Sequence, residues 1–206
     1  MTTSFDNQLP AEQMAYALKA GEGERYVFGT QLATVMATGK STGGLFELVM
    51  LSGGKGDSFP LHRHERAHEA IFALGGTLEL QLDGRAYLLS QGDYACIPAG
   101  TAHGYRMHSH RTRLLSFTTQ GEVARLYSLI GEPSELREHP EKASHTDYLA
   151  RFTQAASQAD STLVLEAETA EPPSLIAGGE VPASVIEATG TSPAPPFLYL
   201  CKESII

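Results

Sequence analysis

The chain has 206 residues, 42% of them hydrophobic and 19% charged, which suits one substantial globular core and leaves two full domains cramped. A formal net charge of −9, with no basic cluster longer than the HSHRTR of residues 108–113, argues against nucleic acid as a partner. No run approaches the ~20 apolar residues of a membrane span, and the N-terminal MTTSFDNQLPAEQM has neither a basic nor an apolar signal region.

In chain order, residues 1–22 read as an N-terminal arm. From 23 to 120 come short β-prone runs: RYVFG, QLATVMA, LFELVML, EAIFAL, TLELQL, RAYLLS, YACIP, HGYRM and RLLSFTT. Glycine-rich turns such as SGGKGD, LGG, LDG and PAG separate them, the pattern of an antiparallel sandwich or barrel. Asp83-Gly84 in LELQLDGRAYLL predicts a tight hairpin, because both central positions of such a turn need positive φ. Only two cysteines occur, so no disulfide framework is expected, and Cys96 reads as a small core residue.

Residues 121–159 switch to helical spacing. Val123, Leu126, Tyr127 and Ile130 recur at i, i+3, i+4 and i+7, closed by Gly131 and Pro133. A second helix is expected over TDYLARFTQAASQ with Leu149 and Phe152 on one face, both helices packing outside the barrel. Residues 160–196 turn rich in Ala, Pro, Ser and Gly and read as a linker with at most a short strand or two. The apolar tail at 197–206 is a possible start of a second barrel.

PLHRHERAHE, at residues 60–69, holds the chemistry. In an extended chain His62 and His64 share one face, and a turn through ERAH can return the Glu69 carboxylate beside them. His103, at the start of a later strand, can be delivered to the same interior by antiparallel pairing. Three imidazoles and a carboxylate suit a divalent Fe, Mn, Co or Ni ion with one or two positions open; zinc saturated by the four would leave less room for chemistry. His68 is adjacent to Glu69 and should face away. His108, His110, His139 and His145 lack this setting and are expected to hold no metal.

These motifs carry a family resemblance. GDSFPLHRHERAHEAIFALGG (56–76) and GDYACIPAGTAHGYRM (92–107) resemble the first and second cupin motifs, except that Met107 stands where the second commonly closes with Asn. The flanking GEGERYVFGTQLATVMATGKSTGGLFELVMLSGGKGD and PAGTAHGYRMHSHRTRLLSFTTQGEVARLYSLIGEP are similar to the N-terminal cupin of bacterial two-cupin quercetin 2,3-dioxygenases. The resemblance implies an all-β jelly-roll barrel with a few peripheral C-terminal helices. It also implies metal ligation by His62, His64, Glu69 and His103, with the metal drawn from Fe, Mn, Co, Ni or Cu. Glu69 would be the base that takes the flavonol 3-hydroxyl proton; dioxygen would be inserted, the heterocycle opened and carbon monoxide released with a depside.

Burial raises and a cation lowers the pKa of such a carboxylate, a balance that can leave it able to accept a proton near neutrality. Strand parity nominates Phe46, Leu48 and Met50, with Glu47 facing solvent, and Ile71, Ala73, Tyr105 and Met107 as inward residues. Of these, Phe46, Leu48, Met50, Ile71 and Tyr105 are the expected substrate contacts, although plain core filling explains them equally well. Competing readings are a cupin isomerase or epimerase on a small polar substrate, which would want charged residues inside the barrel, and a non-catalytic ligand-binding cupin. The expected partners are a flavonol and O2, in a cytoplasmic homo-oligomer such as a dimer, since an unpaired FLYLC strand would leave a sheet edge open. The chain is shorter than the two-cupin members and reads as a shortened relative, a fragment, or a half that pairs with another chain.

Overall fold

The computed structural model describes residues 8–119, 122–143 and 147–164, with the backbone of the two-residue strand Leu175–Ile176. The expected second-barrel start at 197–206, Cys201, His145 and most of the 160–196 segment lie outside the described residues.

Thirteen strands are described: β1 Glu24–Phe28, β2 Gln31–Ala37, β3 Phe46–Gly53, β4 Ser58–Arg63, β5 His68–Gly75, β6 Thr77–Leu82, β7 Arg85–Ser90, β8 Tyr94–Ile97, β9 His103–Met107, β10 Thr112–Thr119, β11 Glu132–Pro133, β12 Thr162–Leu163 and β13 Leu175–Ile176. They form one sheet ordered β11-β1-β2-β3-β10-β5-β8 and a second ordered β12-β4-β9-β6-β7-β13. All pairings are antiparallel except that of β13 with β7. The inner faces meet in a single apolar core that includes Phe28, Leu51, Phe59, Ile71, Leu78, Leu80, Ile97, Met107 and Leu114. This is the all-β architecture expected from the alternating runs.

The β6–β7 hairpin turns at Asp83 and Gly84, with φ of 45° and 78°, as the two-residue turn requires. The same turn serves the next segment. Asp83 Oδ1 accepts from the Ala102 amide at 2.9 Å, and the Asp83 amide donates to the Ala102 carbonyl at 2.8 Å, fixing the residue before His103.

Helix α1, Val123–Ile130, buries Val123, Ala124, Leu126, Tyr127 and Ile130. Helix α2, Tyr148–Ala155, is capped by Asp147, whose side chain accepts from the Ala150 amide, and runs into a short 3₁₀ turn, Ala156–Gln158. Leu149 does not share the buried face of Phe152; it is 48% exposed while Phe152 is fully buried. The helices are also more than an outer layer. Tyr127 and Phe152 reach Phe59 at ring-centroid distances of 6.2 and 5.3 Å, so both join the core between the sheets. Apolar faces of this strength seek the core wherever the sheets leave it open.

Two expectations are overturned by burial. Cys96 is exposed, because its side of β8 is the outer face of an edge strand. In β3 the parity is the reverse of that expected: Glu47, Val49 and Leu51 are buried, and Phe46, Leu48 and Met50 are only half-buried on the opposite face. The reason is a hydrogen-bond demand invisible in strand periodicity. Glu47 accepts from the Ala124 amide at 2.8 Å and the Gly39 amide at 3.3 Å, so its carboxylate satisfies the open N-terminus of α1. Phe46 stacks instead on Phe117, centroids 5.3 Å apart, along the outer side. Burial pushes the Glu47 carboxyl above its ordinary pKa, against the backbone donors of Ala124, Gly39 and Val123.

Candidate metal centre

The centre is built by a bulge and a crossing. Phe59 and His62 lie three apart, which in a regular strand puts them on opposite faces. A register shift between them in the β4–β9 ladder turns both inward. Gly104 of β9 makes room for it, since a Cβ there would stand 3.0–3.1 Å from Phe59 O, Leu61 N and Pro60 O. Past the bulge His62 pairs directly with His103, and their rings lie 4.2 Å apart between centroids. His64 follows at the end of β4, 4.9 and 5.1 Å from those two rings. The chain then crosses to the other sheet, where Glu69 on β5 pairs with Thr118 and Ile97 and faces back.

Each imidazole is held from behind. Nδ1 of His62 contacts Pro60 O at 2.9 Å, that of His103 contacts Thr101 O at 2.9 Å, and that of His64 contacts Asp160 O at 2.8 Å. A carbonyl can only accept, so Nδ1 carries the proton in all three and Nε2 presents a lone pair to the centre. Nε2 of His103 and of His64 stand 2.9 and 3.4 Å from Glu69 Oε2. Both nitrogens are buried without a hydrogen-bond partner as neutral rings. Lone pair then faces lone pair, and a cation, proton or metal, must lie between them.

One potential ligand atom from each of His62, His64, Glu69 and His103 lies within 4.8 Å of the others. Donors on opposite sides of a common ion sit about 4.2 Å apart, twice a metal–nitrogen bond of ~2.1 Å. The spacing and the mixed nitrogen and oxygen set therefore fit one divalent transition metal.

The protonation tendencies agree. Burial, with His103 and His64 nearby, holds His62 well below the ordinary imidazole value, leaving it a neutral ligand. Burial also pulls His64 down, but the hydrogen bond and charge of Glu69 outweigh it and the net shift is upward. Burial pushes Glu69 up, yet His103 and His64 overcome it and hold the carboxyl well below its usual range. Two imidazoles facing one oxygen are what hold the carboxyl down.

Sequence reasoning missed three supporting residues. Ser116 of β10 donates to Glu69 Oε1 at 2.6 Å, both buried. Asp160 and Ser161 reach His64 from a segment that composition marks as linker. An inward serine on an apolar strand was the signal available for Ser116; nothing local announces the other two. Of the expected pocket residues, Ile71 and Tyr105 are buried inward, Tyr105 stacking on Phe59 and donating to Gln31 at 2.7 Å. Phe46, Leu48 and Met50 face away. His68 is exposed, and His108 lies 3.7 Å from Glu79 outside the centre.

Facing antiparallel sheets with three histidines and a glutamate converging between them define a class, and residues 49–118 match the family described as Cupin domain. Residues 49–118 thus carry a cupin domain. It is 59% identical over 170 residues to quercetin 2,3-dioxygenase of Bacillus subtilis (strain 168), a match covering 82% of this chain and 50% of that protein. The chain thus spans about half the length of that relative. Among solved structures it is similar to KdgF from Halomonas sp. (TM-score 0.48, 18% identity, 52% of this chain and 94% of the other). It is also similar to an RmlC-like cupin from Shewanella frigidimarina (TM-score 0.47, 17% identity, 53% and 94%). Among the described residues no helix is long and apolar enough to cross a membrane.

Proposed function

We propose that this chain is the metal-bearing unit of a dioxygenase that opens the heterocyclic ring of flavonols such as quercetin, with His62, His64, Glu69 and His103 as ligands. The observation that carries the reading is the convergence of four buried donors whose Nε2 and Oε2 atoms face one another with no proton-bearing partner in the neutral state. The 59% identity to a quercetin 2,3-dioxygenase supports the substrate class. A divalent metal, Fe, Mn, Co, Ni or Cu, would supply Lewis acidity toward an enol or phenol oxygen and the electronic means to engage dioxygen.

The chain's own residues do the rest. Glu69, ionised and fixed by Ser116 through Oε1, is the carboxylate placed to take the 3-hydroxyl proton. Phe59 and Phe152 pack against the His62 ring and, with Ile71 and Tyr105, make the surroundings of the donors apolar, which would suit a planar aromatic ring. The net reaction joins both oxygen atoms to the flavonol, breaks two ring bonds and releases carbon monoxide with a depside.

In this reading the described residues from 23 to 119 are the barrel, 122–143 and 147–159 its flanking segment with the two helices, and 160–164 belong with the centre they contact. The reading extends to a cytoplasmic homo-oligomer, on the ground that Cys96 is an exposed thiol and that β8 is a sheet edge among the described residues. Anaerobic quercetin added to metal-loaded protein should show a red-shifted flavonol band, and oxygen should then bleach it and release carbon monoxide. Binding without bleaching would favour a ligand-binding cupin, and no shift an isomerase on a polar substrate.

A further inference from the structure

The donor set is complete within residues 62–103, yet one donor is oriented from well outside the matched domain. His64 Nδ1 donates to the carbonyl of Asp160 at 2.8 Å and lies 3.2 Å from Ser161 Oγ, which itself donates to Ala159 O at 3.1 Å. Pro60 and Thr101, which hold the other two rings, sit two residues from the histidines they serve. Asp160 lies 96 residues from His64.

Asp160 is fixed by more than its neighbours in sequence. Its carboxylate accepts from the Ala67 amide at 2.9 Å and the Arg66 amide at 3.2 Å, and pairs with Arg66 Nε at 3.2 Å. Those contacts grip the turn that carries the chain from His64 to Glu69. Its backbone is left-handed, φ 46°, a conformation that Asp and Asn adopt more readily than other residues with a Cβ. Just beyond, β12 pairs with β4 at Leu163↔His62 and Thr162↔Arg63, and the Val164 amide donates to Leu61 O at 3.0 Å. Phe152, at the other end of the same segment, sets its ring edge-on to His62, centroids 5.9 Å apart.

We propose that residues 156–164 form a latch that fixes the ring of His64, with Asp160 and Ser161 as positioning residues, so that docking of the latch and binding of a divalent metal strengthen each other. The proposal rests on the ligand assignment above but not on the flavonol. A carbonyl behind a ligating imidazole fixes its tautomer and aim, and losing such support costs about 10–100-fold in metal affinity. Linkage makes the effect reciprocal: metal that prefers the docked state must also protect the latch.

The test uses Co2+ with the full chain, reading affinity by chelator competition, coordination by visible absorption, and hydrogen exchange across 156–164. Asp160→Ala should weaken Co2+ binding about 10–100-fold and alter the spectrum. Asp160→Asn keeps the acceptor oxygen and tolerates the left-handed backbone, so it should stay within a few-fold of the wild type. Ser161→Ala should cost only a few-fold, and it decides the matter if Asp160→Ala does not fold. In the wild type, Co2+ should slow exchange at the Ser161 and Val164 amides, a measurement that needs no variant. Unchanged affinity in Asp160→Ala, or exchange indifferent to Co2+, overturns the latch alone. A wild type that takes up no metal overturns latch and ligand assignment together, whereas metal binding without flavonol turnover overturns only the dioxygenase reading.

Discussion

Two glutamates, Glu47 and Glu69, are buried in adjoining parts of the same sheet, and they do opposite things. Glu47 meets backbone amides, caps α1 and is pushed toward its protonated form by burial. Glu69 meets imidazoles and a serine, and is held ionised despite burial. Burial of a carboxylate therefore says little about function until its partners are known. Amide partners complete a fold, whereas partners that can surrender their protons to a metal complete a site.

The largest effect that would test this contrast is Glu69→Gln. Flavonol turnover should fall by about 100-fold or more, as general-base loss does, while part of the bound metal remains. Steady-state bleaching alongside metal content measures both, and wild-type turnover would end the base assignment. Glu47→Ala should leave metal content unchanged and lower stability by about 1–3 kcal/mol, the cost of stranding buried amides, read by urea unfolding.

Glu47→Gln probes the ionisation itself. Because the native carboxyl binds its proton more tightly than the unfolded chain does, wild-type stability relative to this variant should fall as pH rises from the unfolded carboxylate value through the raised native one. Unfolding at pH 4 and pH 7 checks the sign; a difference that grows with pH in the wild type's favour would show that the amides outweigh burial.

Ser116→Ala removes one hydrogen bond from Glu69, worth about 1 kcal/mol, and should lower kcat several-fold with little change in KM. Smallest of all, Met50→Ala sits on the outer face and should shift stability by under about 1 kcal/mol with normal turnover, whereas inward Ile71→Ala should cost about 2–5 kcal/mol.

The barrel and the shared face of His62 and His64 were legible because both depend on short-range periodicity, whereas Glu69 and His103 join them through a crossing and a strand pairing that the family motifs, not the periodicity, announce. Alternation places His62 and His64 on one face, and glycine turns mark where strands end. The same rule failed at β3, where Glu47 is drawn inward by a helix almost 80 positions downstream that strand parity does not register. It failed again at residue 160, where composition speaks of a linker and the backbone nonetheless returns to His64. Cys96 escaped for a related reason, since an apolar run does not say whether its strand lies at the edge of a sheet.

Gly104 carries a lesson for anyone grafting this donor set into another scaffold. The close facing of His62 and His103 is eased by an omitted atom: a Cβ at 104 would stand 3.0–3.1 Å from the backbone of Phe59, Pro60 and Leu61, so the bulged strand would have to give by a few tenths of an ångström. Transplanting four ligands without that hydrogen-only position would carry over the chemistry and disturb the fine spacing of its donors.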